Sequence, residues 1–305
     1  MKRLLRPALW TTLAVGGLAC AVFVAIRYFE DWRLTRDFDS IVYSSRDGLC
    51  SVRASGDEPP FCPHVFLSHP QFSPNGRLIA ANRSTGTKDN PGSVIVVANR
   101  RGAIVQRLAA SEDFIRPAWG SDVKTVFAVS YWLPRAVARW SWPEGKKETV
   151  PILNLPDGPK HVQRISLSPS GRRAAVLWDN FDRIDVADAG TNAFTIRKAL
   201  MLPFTYMSFP VWRDDDRLML VARTERGQPA GLWEVTVETG EARKIEAAGL
   251  SLRDFAAISP DRRFAVVTAR TLKGSDGWSL WRLDLGTGEV KKLTFGLEDV
   301  DPTWF

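Results

Sequence analysis

The sequence ends in Asp301-Pro302-Thr303-Trp304-Phe305. Stretches of the same kind inside the chain, such as residues 70–81, continue through a turn into an apolar strand. The last copy has its aromatic residue but lacks that turn and strand. A strand of the missing type occurs near the other end of the sequence, at residues 40–45. One repeat is therefore divided between the two ends, which is how a ring of repeats is closed.

The repeat can be aligned on the residue that precedes the turn. The aligned residues are Phe72, Trp119, Leu167, Trp212, Ile258 and Trp304, at successive spacings of 47, 48, 45, 46 and 46 residues. Each copy contains several short strands separated by tight turns, and repeats of about 40 to 50 residues with this content are typical of propeller blades. The sequence predicts an all-β fold over residues 40–305. We expect a six-bladed β-propeller of four-stranded antiparallel blades, closed by pairing of the C-terminal strand with the N-terminal strands.

The order of elements within a copy resembles the TolB-type propeller repeat, which is a WD-like repeat. The residues that carry the resemblance are an aromatic residue, a Ser-Pro-Asn/Asp-Gly turn, an apolar strand, an alternating strand, a Gly turn and Leu-Thr. The closest match to the family is residues 292–296 followed by residues 301–304. The resemblance covers about residues 40–305 and implies the architecture, without implying a specific activity. We expect no counterpart of the helical amino-terminal domain of TolB.

The first 27 residues have the pattern of a membrane anchor. Residues 7–26 carry no charge and number 20, about the length that spans a bilayer as a helix. The basic residues before them predict a cytoplasmic amino terminus. A cleaved signal peptide is the alternative, but the apolar run is long for one and Cys20 lies in a poor lipobox. We therefore expect a single-pass inner-membrane protein with a stalk at residues 28–39 and an extracytoplasmic, periplasmic propeller.

The formal net charge is +7, of which residues 1–27 contribute four. The remaining charges of both signs are interspersed, which is typical of a solvated surface and gives no indication of nucleic-acid binding.

Cysteine placement supports an exported domain. Cys50 and Cys62 lie symmetrically about Gly56 and would face each other in a hairpin centred there. An oxidising compartment would favour a disulfide between them, and the alternative is a pair of small buried residues.

Candidate catalytic or metal sites are weak, and we predict no catalytic residue, no cofactor and no metal ligand. The sequence has no Gly-x-Ser-x-Gly nucleophile elbow. Its three histidines, His64, His69 and His161, are expected in solvated loops between blades, and the alternative is that they line one mouth of the central channel. The acidic residues 179, 182, 185, 188, 214–216, 299 and 301 are expected in turns or on the surface. Trp119, Trp212 and Trp304 share one repeat position, so packing between blades explains them.

Two segments depart from the repeat composition and are candidates for partner contacts. Residues 199–209 are almost wholly apolar, and residues 83–92 form the longest loop between second and third strands. We expect the first segment to expose side chains in an inter-blade loop, and a small local core is the alternative. The candidate partner-binding residues are Phe204, Tyr206, Met207, Phe209, Lys88 and Asn90.

These patterns favour a non-enzymatic protein-interaction module in the cell envelope, with a protein partner and with the membrane contacted through residues 7–26. One alternative function is an enzyme or small-ligand receptor at the mouth of the central channel, as in lactonases and sugar-processing propellers. Another is a purely structural subunit of an envelope complex, held through its helix. Fold alone does not decide among these functions.

Overall fold

Short apolar and alternating runs, each bounded by Gly, Pro, Asn or Asp, form the strands of the fold. The computed structural model describes residues 40–305 except 47, 63–65, 86–91, 101, 109–113, 131–132, 156–160, 180, 182, 248, 273–276 and 297. Every named element in this part of the chain is a β-strand. In chain order the strands are β1 Ser40–Ser45, β2 Gly48–Arg53, β3 Ser68–Phe72, β4 Leu78–Ser84, β5 Ser93–Asn99, β6 Ile104–Arg107, β7 Phe114–Trp119, β8 Thr125–Ser130, β9 Ala136–Ser141, β10 Lys147–Leu153, β11 Val162–Leu167, β12 Arg173–Trp178, β13 Ile184–Ala189, β14 Phe194–Leu200, β15 Tyr206–Met207, β16 Val211–Trp212, β17 Arg217–Arg223, β18 Gly231–Thr236, β19 Ala242–Ile245, β20 Leu250–Ile258, β21 Phe264–Thr271, β22 Ser279–Asp284, β23 Val290–Lys292 and β24 Val300–Trp304.

Consecutive strands pair antiparallel and form propeller-like sheets. Strands β3–β6 form one sheet, β15–β19 another and β20–β23 a third. Strands β7–β10 and β11–β14 are two such meanders, joined into one eight-stranded sheet by a short parallel contact between β10 and β14. The remaining sheet has the order β2-β1-β24 and so combines strands from the two ends of the chain.

The pairing of β1 with β24 is the one that the sequence predicted. Ile41 lies opposite Trp304, and the backbones of Ser40 and Phe305 exchange two hydrogen bonds of 3.1 Å. The Phe305 ring packs over Gly76, where an added Cβ would lie 1.9 Å from the ring. Gly76 therefore serves both the turn, which needs its φ of +64°, and the close approach of Phe305.

The hydrophobic core consists of layers between successive sheets. The first strands of the sheets contact one another in the order β24, β3, β7, β11, β16, β20 and again β24. The aligned tryptophans pack between repeats, as predicted. The Trp119 indole N–H donates to the Gln71 carbonyl oxygen at 3.0 Å, and that of Trp212 donates to the Ser166 carbonyl oxygen at 2.9 Å.

Antiparallel pairing gives the unit two distinct faces. Turns between first and second strands, such as Ser73–Gly76, lie at one end, which we call the turn face. Loops between second and third strands and the connections between sheets lie at the opposite end, the connection face. The hydrogen bonds between Ser40 and Phe305 place both of these residues at the turn face.

The described residues belong to one compact unit, Asp39–Phe305. In this part of the chain we find no helix whose length and apolarity would suit a bilayer crossing. The predicted anchor at residues 7–26 and the predicted stalk at residues 28–39 lie outside the described residues.

Candidate functional site

At one position of the repeat, the described side chains of different sheets come into contact near the middle of the ring of first strands. This position lies three residues before the aligned residue. We call the six residues at this position the central ring: His69, Arg116, Arg164, Phe209, Phe255 and Asp301. For Phe255 only the backbone is described. Five of the six lie in first strands, and Phe209 lies between β15 and β16.

Local irregularities of the strands accompany the central ring. The pairing register shifts at His69 in β3, at Arg116 in β7 and within β20 beside Phe255. His69, Arg116 and Asp301 have φ values of 50°, 56° and 54°, in the left-handed region that side chains other than Gly rarely occupy. Such bulges change the direction in which a side chain points, and left-handed residues of this kind concentrate at functional sites.

Contacts join ring residues from different sheets. Nδ1 of His69 lies 2.8 Å from Oδ2 of Asp301, which is buried. The guanidinium carbons of Arg116 and Arg164 lie 4.2 and 5.0 Å from the centre of the Phe209 ring, within cation–π distance. These side chains, contributed by five repeats, therefore converge on one place.

Hydrogen bonds position Arg116. Its Nη1 donates to the side-chain oxygen of Gln163 at 2.7 Å and to the Gln163 carbonyl oxygen at 3.1 Å. Its backbone N–H donates to Oδ1 of Asn82 at 2.8 Å. Arg116 is thus held by Asn82 of β4 and Gln163 of β11.

Arg164 lies in a different environment. Its residue is only 8 % exposed, and it has no hydrogen bond or ion pair with any residue that the structure describes. Burial, followed by the repulsion of Arg116, lowers the pKa of Arg164 to about 10, while the attraction of Asp301 opposes the change. Arg164 therefore remains charged at neutral pH, as a buried cation without a hydrogen-bonded partner among the described residues.

A cavity lies between Arg164 and the turn face. It consists of two adjoining spaces of about 410 and 320 Å³, and Arg164 lines both. Its lining comes from all six first strands and reaches the turns at Pro74 and Pro169. Apolar side chains form much of the wall, among them Phe72, Leu167 and Trp212. We call this space the central cavity.

The connection face, in contrast to the central cavity, exposes large apolar side chains to solvent. The most exposed are Phe66, Met201, Leu272 and Phe295, at 73, 85, 54 and 80 %. Three of them lie in connections between sheets, and Leu272 lies between β21 and β22. Beside Leu272 is a pocket of about 530 Å³ between the loop at residues 224–230 and the connection at residues 246–250.

The expected exposure of residues 204–209 is wrong for most of the segment. Phe204, Met207 and Phe209 are buried at 7, 0 and 5 % exposure and belong to one core cluster. Phe204 packs on Trp233, with ring centres 4.9 Å apart, so the segment forms the local core that was the alternative. Tyr206 is partly exposed and stacks on Phe181. The other two candidates, Lys88 and Asn90, lie outside the described residues.

Other predicted residues fall in different places from those expected. His69 and Asp301 are in strands of the central ring, not in a solvated loop or a surface turn. Asp185, also expected in a turn or on the surface, is fully buried in β13. His161 makes a β-bridge with Pro134 and is partly buried, whereas His64 lies outside the described residues. Spacing was the signal that could have identified the ring, since its members share one repeat position.

Cys50 and Cys62 form a disulfide whose Cα atoms are 4.2 Å apart. Ser51 pairs with Phe61, the hairpin register that is symmetric about Gly56. In the part of the chain that the structure covers, no group of three or more His, Cys, Asp or Glu side chains is placed to hold a metal ion.

Comparison with known proteins identifies the architecture. Residues 59–290 match the sequence model of the lipoprotein LpqB β-propeller domain. No curated protein matches the chain significantly.

Three solved structures illustrate the similarity of fold. The TolB structure of Agrobacterium tumefaciens matches with a TM-score of 0.56 and 14 % identity, over 84 % of this chain and 88 % of that one. A structure described as a 6-phosphogluconolactonase of Bacteroides uniformis matches with a TM-score of 0.53 and 10 % identity, over 86 and 99 % of the two chains. An oligogalacturonate lyase in complex with manganese matches with a TM-score of 0.51 and 13 % identity, over 83 and 71 %. Identities this low establish the fold alone.

Proposed function

Because the chain belongs to the lipoprotein LpqB β-propeller family and has a TolB-like propeller, we propose that it is an envelope protein whose propeller binds a protein partner without catalysing a reaction. The partner surface that we propose is the connection face. The observation that carries this proposal is the set of exposed apolar side chains there, Phe66, Met201, Leu272 and Phe295. Large apolar side chains exposed on one face of a protein are found at protein-binding surfaces.

We further propose that residues 40–305 form six blades. The six groups of strands and the closed order of contacts among their first strands support this arrangement. Five of the blades would have four strands each, and in the β15–β19 blade the short strands β15 and β16 together would make the first strand. The sixth blade would combine β24, β1 and β2 with the bridge at Phe61. Closure of the ring would leave no long free strand edge.

We propose that residues 1–27 remain as the cytoplasmic tip and anchor, that residues 28–39 form the stalk and that the propeller is extracytoplasmic. The apolar run at residues 7–26 and the disulfide between Cys50 and Cys62 support this topology. The intact mass of protein purified from membranes tests it. We expect the uncleaved chain less two hydrogens, whereas a new amino terminus at a lipid-modified Cys20 would contradict the uncleaved anchor.

Site-specific photo-crosslinking in intact cells tests the partner surface. Photoreactive residues would replace Phe295 and Met201 on the connection face and Asn75 on the turn face, with Val105 as an exposed apolar control on an outer strand. We expect the same discrete protein adduct from both connection-face probes and from neither other position. An adduct from Asn75 alone would move the partner to the turn face and contradict the proposal.

A small-ligand receptor is the second candidate function, and the buried cation in the central cavity favours it. Two of the structural neighbours are described as enzymes, a lactonase and a lyase, but their similarity to this chain is in fold only. Binding in the central cavity and binding on the connection face use different residues, so each can be tested without the other.

A further inference from the structure

The central ring contains an imbalance of charge. Among its described side chains are two guanidinium groups, Arg116 and Arg164, and one carboxyl group, Asp301. Asp301 is already within hydrogen-bonding distance of His69. Arg116 reaches the oxygens of Gln163, but Arg164 has no such bond within the described part of the chain. Because a buried charge is costly unless it is paired, a single buried cation in this state requires an explanation.

The position of Arg164 provides one. The residue is more than nine-tenths buried and lines both spaces of the central cavity, so the cavity is where a partner for its guanidinium would sit. The guanidinium carbon of Arg164 lies 5.0 Å from the centre of the Phe209 ring. A cation–π contact does not use the guanidinium N–H groups as hydrogen-bond donors to an anion, so they remain available for a planar, bidentate acceptor.

We infer that the central cavity is a binding site for a carboxylate, with the guanidinium of Arg164 as its anion-binding group. The inference rests on the second candidate function, a ligand receptor, and does not depend on the connection face. A monoanion matches the excess of one positive charge in the ring. A dianion such as phosphate would place a further negative charge close to Asp301.

The wall of the cavity indicates what else the ligand carries. Phe72, Leu167, Trp212, Ile258 and Phe305 contribute apolar surface, and Ser73, Ser166 and Thr303 contribute a few polar groups. Oγ of Ser166 is buried without a hydrogen-bond partner among the described residues. A mostly apolar cavity with few polar groups suits a carboxylate on an apolar body. Such a carboxylate could belong to a small organic acid or to the carboxy terminus of a polypeptide.

Tryptophan fluorescence of the full-length protein in detergent tests the inference, because Trp119, Trp212 and Trp304 line the cavity. The probes are 3-phenylpropanoate and its neutral amide, and a pentapeptide ending in leucine with a free or an amidated carboxy terminus, all at constant ionic strength. We expect saturable binding of at least one acid and weaker binding of its amide. The acid that binds more tightly identifies the source of the carboxylate.

The variant Arg164→Gln removes the anion-binding group. Arg172→Gln is the matched control, because Arg172 is an exposed arginine in the turn between β11 and β12. We expect binding of the acid to weaken at least about tenfold in Arg164→Gln and to be unchanged in Arg172→Gln, since a charge-assisted bidentate contact is typically of that size. Equal binding of acid and amide, equal binding by Arg164→Gln and the wild type, or no binding of either acid would overturn the inference.

Thermal stability separates a ligand-binding role from a structural one. We expect Arg164→Met to melt at the same or a higher temperature than the wild type in acid-free buffer, because an unpaired buried charge is replaced by an apolar side chain of similar length. The acid that binds should raise the melting temperature of the wild type and leave that of Arg164→Met unchanged. A lower melting temperature for Arg164→Met in acid-free buffer, with no effect of the acid on the wild type, would assign Arg164 a structural role instead.

Discussion

The molecule contains buried charged side chains in two settings, inside a sheet and in the central ring, and they differ in their hydrogen-bond partners. Asp185, in the middle of the β11–β14 meander, is fully buried and accepts hydrogen bonds from Trp178 Nε1 at 3.0 Å and from Arg183 Nε at 2.8 Å. Arg164 is buried nearly as deeply, but it has no comparable partner within the described part of the chain. Asp185 is thus paired with its neighbours in the sheet, whereas the guanidinium that lacks such a partner among the described residues belongs to Arg164, which lines the central cavity.

The largest effect should come from removing the paired charge. Asp185→Ala leaves the buried Trp178 N–H and the Arg183 guanidinium without their acceptor, and we expect it to lower the free energy of unfolding by about 3 kcal/mol. Urea unfolding followed by circular dichroism measures the loss. Asp188→Ala is the matched control, because Asp188 lies on the same strand with its ion pair to Arg197 exposed to solvent. A similar loss in both variants would show that burial of the pair is not what matters.

A smaller effect is expected in the central ring, where charges interact without a direct bond. Removing Asp301 takes away the carboxylate that attracts Arg164, while the repulsion between Arg116 and Arg164 remains. We expect Asp301→Ala to cost about 1–3 kcal/mol. The same substitution should cost less in an Arg164→Met background, because one of the two positive charges is already gone. Chemical denaturation of the four proteins of this double-mutant cycle measures the coupling. Additive losses would mean that Asp301 and Arg164 do not interact and would remove the electrostatic argument for this pair of ring residues.

Much of the fold could be predicted from the sequence. The repeat spacing, the aligned tryptophans and the divided terminal repeat predicted the strand order and the pairing of β1 with β24, because these features depend on turn chemistry and hydrophobic packing that recur in each copy. The hairpin symmetry about Gly56 similarly placed Cys50 opposite Cys62.

The central ring was not predicted, for a physical reason. Its position carries histidine, arginine, phenylalanine or aspartate in different copies, so it has no hydrophobic period. Strand bulges with left-handed backbone also direct these side chains, and a bulge at His69 or Asp301 has no sequence signature. Phe209 was misplaced for the related reason that an apolar run does not show whether it packs under a sheet edge or on the surface. Here its ring lies within cation–π distance of two arginines, Arg116 and Arg164.

Acidification should remove the stability that Glu234 contributes through its ion pairs with Arg213 and Arg243. Burial raises the pKa of Glu234, but hydrogen bonds from Arg243 and Arg213 outweigh this and hold the pKa below its ordinary value of 4.5. The resulting stabilisation is complete above about pH 4.5 and is lost as the pH falls through the lower folded-state pKa. We expect Glu234→Gln to be less stable than the wild type at neutral pH and to lose less stability on acidification. Melting temperatures between pH 7 and pH 3 measure this, with the exposed Glu238→Gln as control. Parallel pH profiles for Glu234→Gln and the wild type would contradict the prediction.

The smallest effect on stability is expected for substitution of an aromatic side chain that is exposed on the surface. Phe209 and Phe295 both lie under cations, Phe209 beside Arg116 and Arg164 and Phe295 beside Lys292, but they are 5 and 80 % exposed. Phe209→Leu should cost about 1–2 kcal/mol, because desolvated cation–π contacts are lost along with packing. Phe295→Leu should stay within about 0.5 kcal/mol of the wild type, as exposed positions usually do. If the connection face binds a protein, Phe295→Leu should nevertheless weaken the crosslinked adduct formed by a probe at Met201, whereas Phe209→Leu should not. The opposite pattern would place the partner surface at the centre of the ring, and the exposed apolar side chains of the connection face would then need another explanation.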